Sequence, residues 1–216
     1  MSYKLAIFDL DGTALNTLTD LTISVNHALT QNGFQVRTKD DVRSFIGNGI
    51  RILLKRCLPA DVNEDQYEKV VYDYLMYYDT HYNDHTQPYD GIIDLIKKLR
   101  ANGITTALVS NKGNKAVQAL AKEHYDGCFD FVLGVSPERP IKPNPDMCLY
   151  ALSQLGFDKC DAVYIGDTEV DKQFADNAGV DIIGVDWGFR GKVKLKELGF
   201  EKIVCTTEEL FEMITK

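Results

Sequence analysis

Apolar positions along this chain follow two rhythms: short unbroken runs, and longer stretches where they recur every three or four residues. The first run, Leu5-Ala-Ile-Phe8, leads directly into Asp9 and predicts a strand buried on both faces. Similar runs cover residues 104–109, 162–165 and 180–185, with a weaker one over 129–135. Between them lie helical spacings. Ile92, Ile93, Leu95, Ile96 and Leu99 share one helix face, and Asn102-Gly103 supplies its stop. Residues 116–120, 147–155 and 174–178 behave likewise. Strands alternating with helices of this length predict an α/β fold, a Rossmann-like, doubly wound parallel sheet with helices on both faces.

Residues 15–82 break the alternation. Leu18, Leu21, Ile23, Val25, Ala28 and Leu29 lead to Asn32-Gly33 and predict one helix with its stop. Residues 40–45, 50–58 and 67–78 predict three more, and no strand signal appears among them. The expected organisation is therefore a core of residues 1–14 and 83–216 with an all-helical insertion at 15–82. Tyr72, Tyr74, Tyr77, Tyr78 and Tyr82 suggest an aromatic platform, but their helix-like spacing reads as packing.

The composition narrows the function. The 216 residues are 44% hydrophobic and 26% charged, as expected of a soluble globular protein. A net charge of −8 offers no broad basic footprint and argues against a nucleic-acid partner. An anionic substrate is still compatible, because a bound dication inverts the local field. No apolar run approaches the length of a membrane span, so no membrane partner is expected. The Met1-Ser2-Tyr3-Lys4 start lacks a signal peptide's apolar region. Cys57, Cys128, Cys148, Cys160 and Cys205 are scattered, with no Cys-x-x-Cys pair, and read as reduced thiols in a cytoplasmic protein. No pattern specifies an oligomeric state.

Candidate chemistry lies where the apolar runs end. Asp9, Asp11, Ser110 and Asp167 all fall at, or just past, the carboxyl ends of predicted strands, where open α/β sheets bind ligands. An acidic turn would also explain Asp9-Leu-Asp11-Gly12-Thr13. Alternation, however, puts the two carboxylates on one side, and like charges so close call for a cation. An all-oxygen site of this kind suits Mg²⁺. Ser110 and Asn111 run from a strand end toward a helix start, where hydroxyl and free N–H groups make an anion pocket, although either residue would also serve as a plain N-cap. Lys142 sits in Arg139-Pro-Ile-Lys-Pro-Asn-Pro145, a loop stiffened by prolines, so its ammonium is expected to be positioned. Asp167 follows a buried run, and Asp171 lies four residues later in the next helix.

Together, Asp9-x-Asp11-Gly12-Thr13, Ser110-Asn111, Lys142-Pro143 and Gly166-Asp167-Thr168-x-x-Asp171 occur in the order found in the haloacid-dehalogenase-like phosphatases, which the chain resembles over nearly its whole length. The resemblance implies that Asp9 is a nucleophile forming an aspartyl-phosphate, and that Asp11 is the general acid and then base. It implies metal ligation by Asp9 and Asp167, with Asp11 contributing its backbone carbonyl, and Asp171 behind them orienting a metal-bound water or Lys142. Lys142 also counts as catalytic, and Ser110, Asn111, Lys142 and Gly12 as the phosphate-binding group. The helical insertion becomes a cap over the site.

Within that cap, Gly47-Asn48-Gly49 followed by Leu53 and Arg56 is similar to a segment of phosphoglycolate phosphatases, as are Asp20-Leu21 and Asn26-x-Ala28-Leu29. A plain interhelical turn gives the same glycines. Exposed N–H groups beside Arg51 or Arg56 would suit a small substrate carboxylate. The expected activity is Mg²⁺-dependent hydrolysis of a small phosphorylated metabolite, 2-phosphoglycolate among the candidates, with pyrophosphate and nucleotides as alternatives. A sugar-phosphate mutase of this family carries a cap histidine where Leu21 stands, and a dehalogenase lacks the acid that Asp11 supplies. A silent binding protein would be missing a core motif residue, and none is missing. The family's usual Leu-x-Asp-Ser is replaced by Leu15-Asn16-Thr17, so the hinge lacks its customary acid.

Overall fold

The structure, a computed structural model, describes residues 2–216. In chain order the elements are β1 (Leu5–Phe8), β2 (Leu15–Asn16), α1 (Leu18–Gln31), α2 (Lys39–Phe45), α3 (Ile50–Cys57), α4 (Glu64–His81), β3 (Gln87–Pro88), α5 (Ile92–Ala101), β4 (Thr105–Gly113), α6 (Asn114–Tyr125), β5 (Phe131–Val135), α7 (Asp146–Leu155), β6 (Ala162–Gly166), α8 (Glu169–Ala178), β7 (Asp181–Val185), α9 (Gly191–Glu197), β8 (Ile203–Val204) and α10 (Thr207–Thr215).

Six strands form one parallel sheet in the order β5-β4-β1-β6-β7-β8. Strand β1 is central, with Leu5 opposite both Thr105 and Ala162. The chain crosses to β4 on one side and β6 on the other, which opens a crevice at their carboxyl ends. Every β1 side chain is buried because apolar layers cover both faces. One layer includes Ile92, Ile96, Leu120 and Ile214, and the other includes Met147, Ala151, Phe174 and Ala178. That two-sided burial explains why the strands read as unbroken apolar runs.

Helices α1–α4 share an apolar cluster of their own, built from Leu18, Val25, Leu29, Leu54, Val70 and Tyr74. Helix α4 is longer than its tyrosine spacing predicts, because Asn63 and Gln66 form a capping box that starts it at Glu64. The predicted absence of strand at the start of this segment does not hold. Leu15–Asn16 pairs antiparallel with Gln87–Pro88, making a two-residue ribbon at the point where the chain leaves and re-enters the core. Such short strands produce no periodicity. Asp20 braces the same junction, its carboxylate accepting hydrogen bonds from the His85 N–H and the Thr86 hydroxyl. The hinge acid missing at residues 15–17 is therefore matched by one three residues further on. The cluster also receives Phe189 from the loop after β7, a link that the sequence did not suggest.

Candidate active site

The crevice at the carboxyl ends of β1, β4 and β6 gathers most of the candidate residues. Asp9, Asp167 and Asp171 can each bring a carboxylate oxygen within 4.8 Å of the others, and all three are buried. The Lys142 ammonium lies among them, 2.8 Å from Asp9 Oδ1 and 2.8 Å from Asp171 Oδ1, with its side chain only 2% exposed. It also donates to the Tyr164 hydroxyl at 2.9 Å. The Pro-rich loop positions this lysine as expected.

The three acids differ in what holds them. Both Asp171 oxygens are engaged: Oδ2 accepts from the N–H of Thr168 at 3.0 Å and from its hydroxyl at 2.7 Å, and Oδ1 takes Lys142. Asp167 accepts from the Thr13 hydroxyl at 3.0 Å and the Phe189 N–H at 2.7 Å. Asp9 Oδ1 sits within ion-pair distance of Lys142 but out of hydrogen-bond alignment, and is buried with no hydrogen-bond partner. Burial, with Asp171 and Asp11 adding repulsion, outweighs Lys142 and pushes Asp9 up to about 7. Burial first, then the charges of Asp171 and Asp9, also hold Asp167 well above the usual carboxylate range. For Lys142, burial acts to lower the pKa, but Asp171 and Asp9 overcome it and keep the ammonium protonated.

Three buried carboxylates thus face one buried ammonium, a deficit of positive charge that a dication would remove. The donors are all oxygen, which suits Mg²⁺. Two glycines let the backbone close on Asp167. A Cβ at Gly12, where φ is +90°, would lie 2.3 Å from Asp167 Oδ2, and one at Gly188 would lie 2.3 Å from Asp167 Cβ. Gly12 was expected to bind phosphate. Its N–H instead donates to the Leu15 carbonyl at 2.9 Å, so its place here follows from close approach to Asp167.

Asp11 lines the same cavity but has partners of its own. Its carboxylate accepts from the Thr17 hydroxyl at 2.5 Å and from the Lys112 ammonium at 2.8 and 3.1 Å. Asp11 is absent from the buried acid cluster that Asp9, Asp167 and Asp171 form. Lys112 was not singled out from the sequence. Its signal was alternation along β4, which puts Ser110 and Lys112 on the same side of the strand. Strand β4 runs to Gly113 with a register irregularity after Val109, and α6 begins only at Asn114. Ser110 and Asn111 therefore do not lie at a helix amino terminus. Ser110 is buried, with its Oγ accepting the Lys112 N–H at 3.2 Å and its own hydroxyl proton free to donate. The Asn111 side chain was expected to hold phosphoryl oxygens. Its Oδ1 accepts the Lys142 N–H, and its Nδ2 donates to the Lys142 and Gly47 carbonyls. That side chain fixes the Lys142 loop and ties it to the cap.

Among the cap candidates, Gly47 and Gly49 line the cavity above the acids, whereas Asn48, Arg51 and Arg56 do not. Arg56 instead braces the turn before α3, donating to the Phe45 carbonyl and to Asn48 Oδ1. Arg51 pairs with Glu68. Arginines that looked available in the sequence are thus bound inside the cap. Arg190 makes the connection that sequence reading passed over, donating to the cap carbonyls of Arg43 and Ile46 while pairing with Glu169 at the start of α8.

The chain is thus an α/β protein with an acid-lined crevice at the carboxyl edge of a parallel sheet, a buried lysine among the acids and a helical cap. Residues 6–185 match the family described as haloacid dehalogenase-like hydrolase, and the chain belongs to that family. It is a phosphatase of that family. Among curated relatives, phosphoglycolate phosphatase 1 of Pseudomonas aeruginosa is 31% identical over 191 residues, covering 86% of this chain and 70% of that protein. The phosphoglycolate phosphatase of Thiobacillus denitrificans is 28% identical over 219 residues, covering 99% of this chain and 96% of that one. A solved structure from Lactobacillus delbrueckii subsp. bulgaricus, provisionally assigned as a phosphoglycolate phosphatase, has a TM-score of 0.94 at 39% identity, covering 100% and 99% of the two chains. No helix among the described residues is long and apolar enough to cross a membrane.

Proposed function

We propose that this phosphatase hydrolyses small phosphate monoesters, assisted by Mg²⁺, through an aspartyl-phosphate on Asp9. The observation that carries the reading is the orphaned, buried Asp9 Oδ1 facing Lys142, with Asp167 and Asp171 completing an undercompensated acidic cluster. Asp9 and Asp167 would hold the cation, whose chemistry there is charge neutralisation and orientation of the phosphoryl oxygens. Asp171, satisfied on both oxygens, keeps Lys142 in place. In this reading the cap spans residues 15–82 and the core residues 1–14 and 83–216.

Asp9 attacks phosphorus, and Asp11 gives its proton to the departing alkoxide. Ser110 and Lys142 balance the charge on the equatorial oxygens. Water then attacks the phosphoenzyme, Asp11 takes the water's proton, and inorganic phosphate leaves with Asp9 regenerated. Lys112 and Thr17 fix the Asp11 carboxylate between these two proton transfers. The names of the relatives make 2-phosphoglycolate the first metabolite to test, with pyrophosphate and nucleotides as comparators.

The experiment is p-nitrophenyl phosphate turnover with and without Mg²⁺, alongside mass spectrometry of acid-quenched enzyme. Mg²⁺-stimulated release and one phosphoryl group on the Asp9 peptide are expected, both lost in Asp9→Asn. Equal activity in that variant would overturn the mechanism.

A further inference from the structure

The cavity above Asp9 has a composition that the phosphate chemistry does not require. It encloses about 550 Å³ between the cap and the core. Volumes of that size suit ligands well beyond a two-carbon alcohol. Past the acids and lysines, its lining is mainly apolar, with Leu21, Ile50, Leu53 and Tyr74 from the cap and Ala116 and Ala119 from α6, and its neutral polar residues are Ser110, Asn111, Asn114, Ser136 and Thr168.

Every ammonium in the lining already has a carboxylate partner. Lys142 belongs to Asp9 and Asp171, and Lys112 lies on Asp11 at 2.8 Å, with its ammonium 5.0 Å from the Tyr78 ring centre. Lys115 pairs with Asp79 at the rim at 2.7 Å. The lining has four carboxylates, on Asp9, Asp11, Asp79 and Asp171, against three ammoniums, and no arginine. A leaving group bearing a carboxylate would enter an apolar chamber with no unpaired cation to receive it, a costly burial. An apolar leaving group would instead cover the leucine and tyrosine faces and displace water from them.

We infer that this site, given the phosphatase reading above on which the inference rests, selects phosphate monoesters of uncharged, predominantly apolar alcohols of benzyl size or larger, and disfavours 2-phosphoglycolate. The cap supplies the apolar wall, and the small side chains of Ala116 and Ala119 keep the chamber open on the opposite side.

The test is kcat/KM, in Mg²⁺, for ethyl, 3-methylbutyl and benzyl phosphates beside 2-phosphoglycolate, all esters of alkyl alcohols with comparable intrinsic reactivity. Benzyl phosphate is expected to exceed ethyl phosphate by on the order of 100-fold, with phosphoglycolate at or below the ethyl ester. Ala116→Phe, which fills the chamber from α6, is expected to lower benzyl phosphate turnover by about tenfold or more while affecting the ethyl ester far less. Preference for phosphoglycolate over benzyl phosphate, or equal turnover of the ethyl and benzyl esters, overturns the inference and leaves the phosphatase reading standing. Absence of Mg²⁺-stimulated release from every ester, p-nitrophenyl phosphate included, overturns both.

Discussion

The acidic cluster makes a quantitative demand on stability that can be tested without substrate. Asp9 ionises near 3.8 in the unfolded chain and is pushed up to about 7 in the folded one, mainly by burial. Between those values the native state holds a proton that the unfolded state has released, so the folded protein is favoured at low pH and loses stability as pH rises. Each pH unit in that window costs about 1.4 kcal/mol. From about pH 5 to 8 the loss attributable to Asp9 is therefore about 2–3 kcal/mol, complete once pH passes 7. Asp167 is shifted in the same direction. Asp9→Asn removes the charge and keeps the shape. Measured by thermal unfolding in EDTA, the gap between variant and wild type should widen between about pH 5 and 8 by roughly 5–10 °C, given about 2–4 °C per kcal/mol for a chain of this length. Mg²⁺ at about 100 times its dissociation constant should add about 2.7 kcal/mol to wild type at the higher pH and far less to the variant. A gap that stays constant with pH, or an equal Mg²⁺ shift in both proteins, would refute the account of the cluster as an undercompensated cation site.

Two further substitutions probe the supports. Gly12→Ala puts a methyl group 2.3 Å from Asp167 Oδ2 at a φ of +90°, so Asp167 must move. Isothermal titration should show Mg²⁺ affinity down by about tenfold or more, and unchanged affinity would remove Gly12 from the metal cradle. Arg190→Ala cuts the tie between Glu169 and the cap carbonyls of Arg43 and Ile46. It should cost about 2–3 kcal/mol in urea unfolding and raise KM through looser cap closure, and a variant unchanged in both would make the contact incidental.

The sequence was most readable where burial on both faces imposes a composition. The runs at β1 and β6 are nearly all apolar because helices cover each side of the sheet, and Asp9 and Asp167 mark the carboxyl ends where those runs stop. Strands β2, β3 and β8 are two residues each and leave no such trace. Helix α4 was found but started late, since its first turn is polar and set by the Asn63 capping box, outside the tyrosine stripe that revealed it.

Within the site, spacing along the chain predicts which backbone reaches the crevice and says little about where a side chain then turns. Asp9, Lys142, Asp167 and Asp171 meet in one place because the backbone at each strand end or stiff loop leaves few directions open. Asn111 and Gly12 reach the same crevice, yet bond to the Lys142 loop, the Gly47 carbonyl and the Leu15 carbonyl, partners fixed by long-range packing. Arg56 shows the cost of judging a cap by its charges, for it closes on Phe45 and Asn48 within the cap and leaves the cavity wall to leucine and tyrosine. The reverse holds for Arg190. In sequence it is one charge in the loop after β7, but in space it joins the first turn of α8, the helix that carries Asp171, to the carbonyls at the end of α2. The helix that fixes Lys142 is therefore also held to the cap.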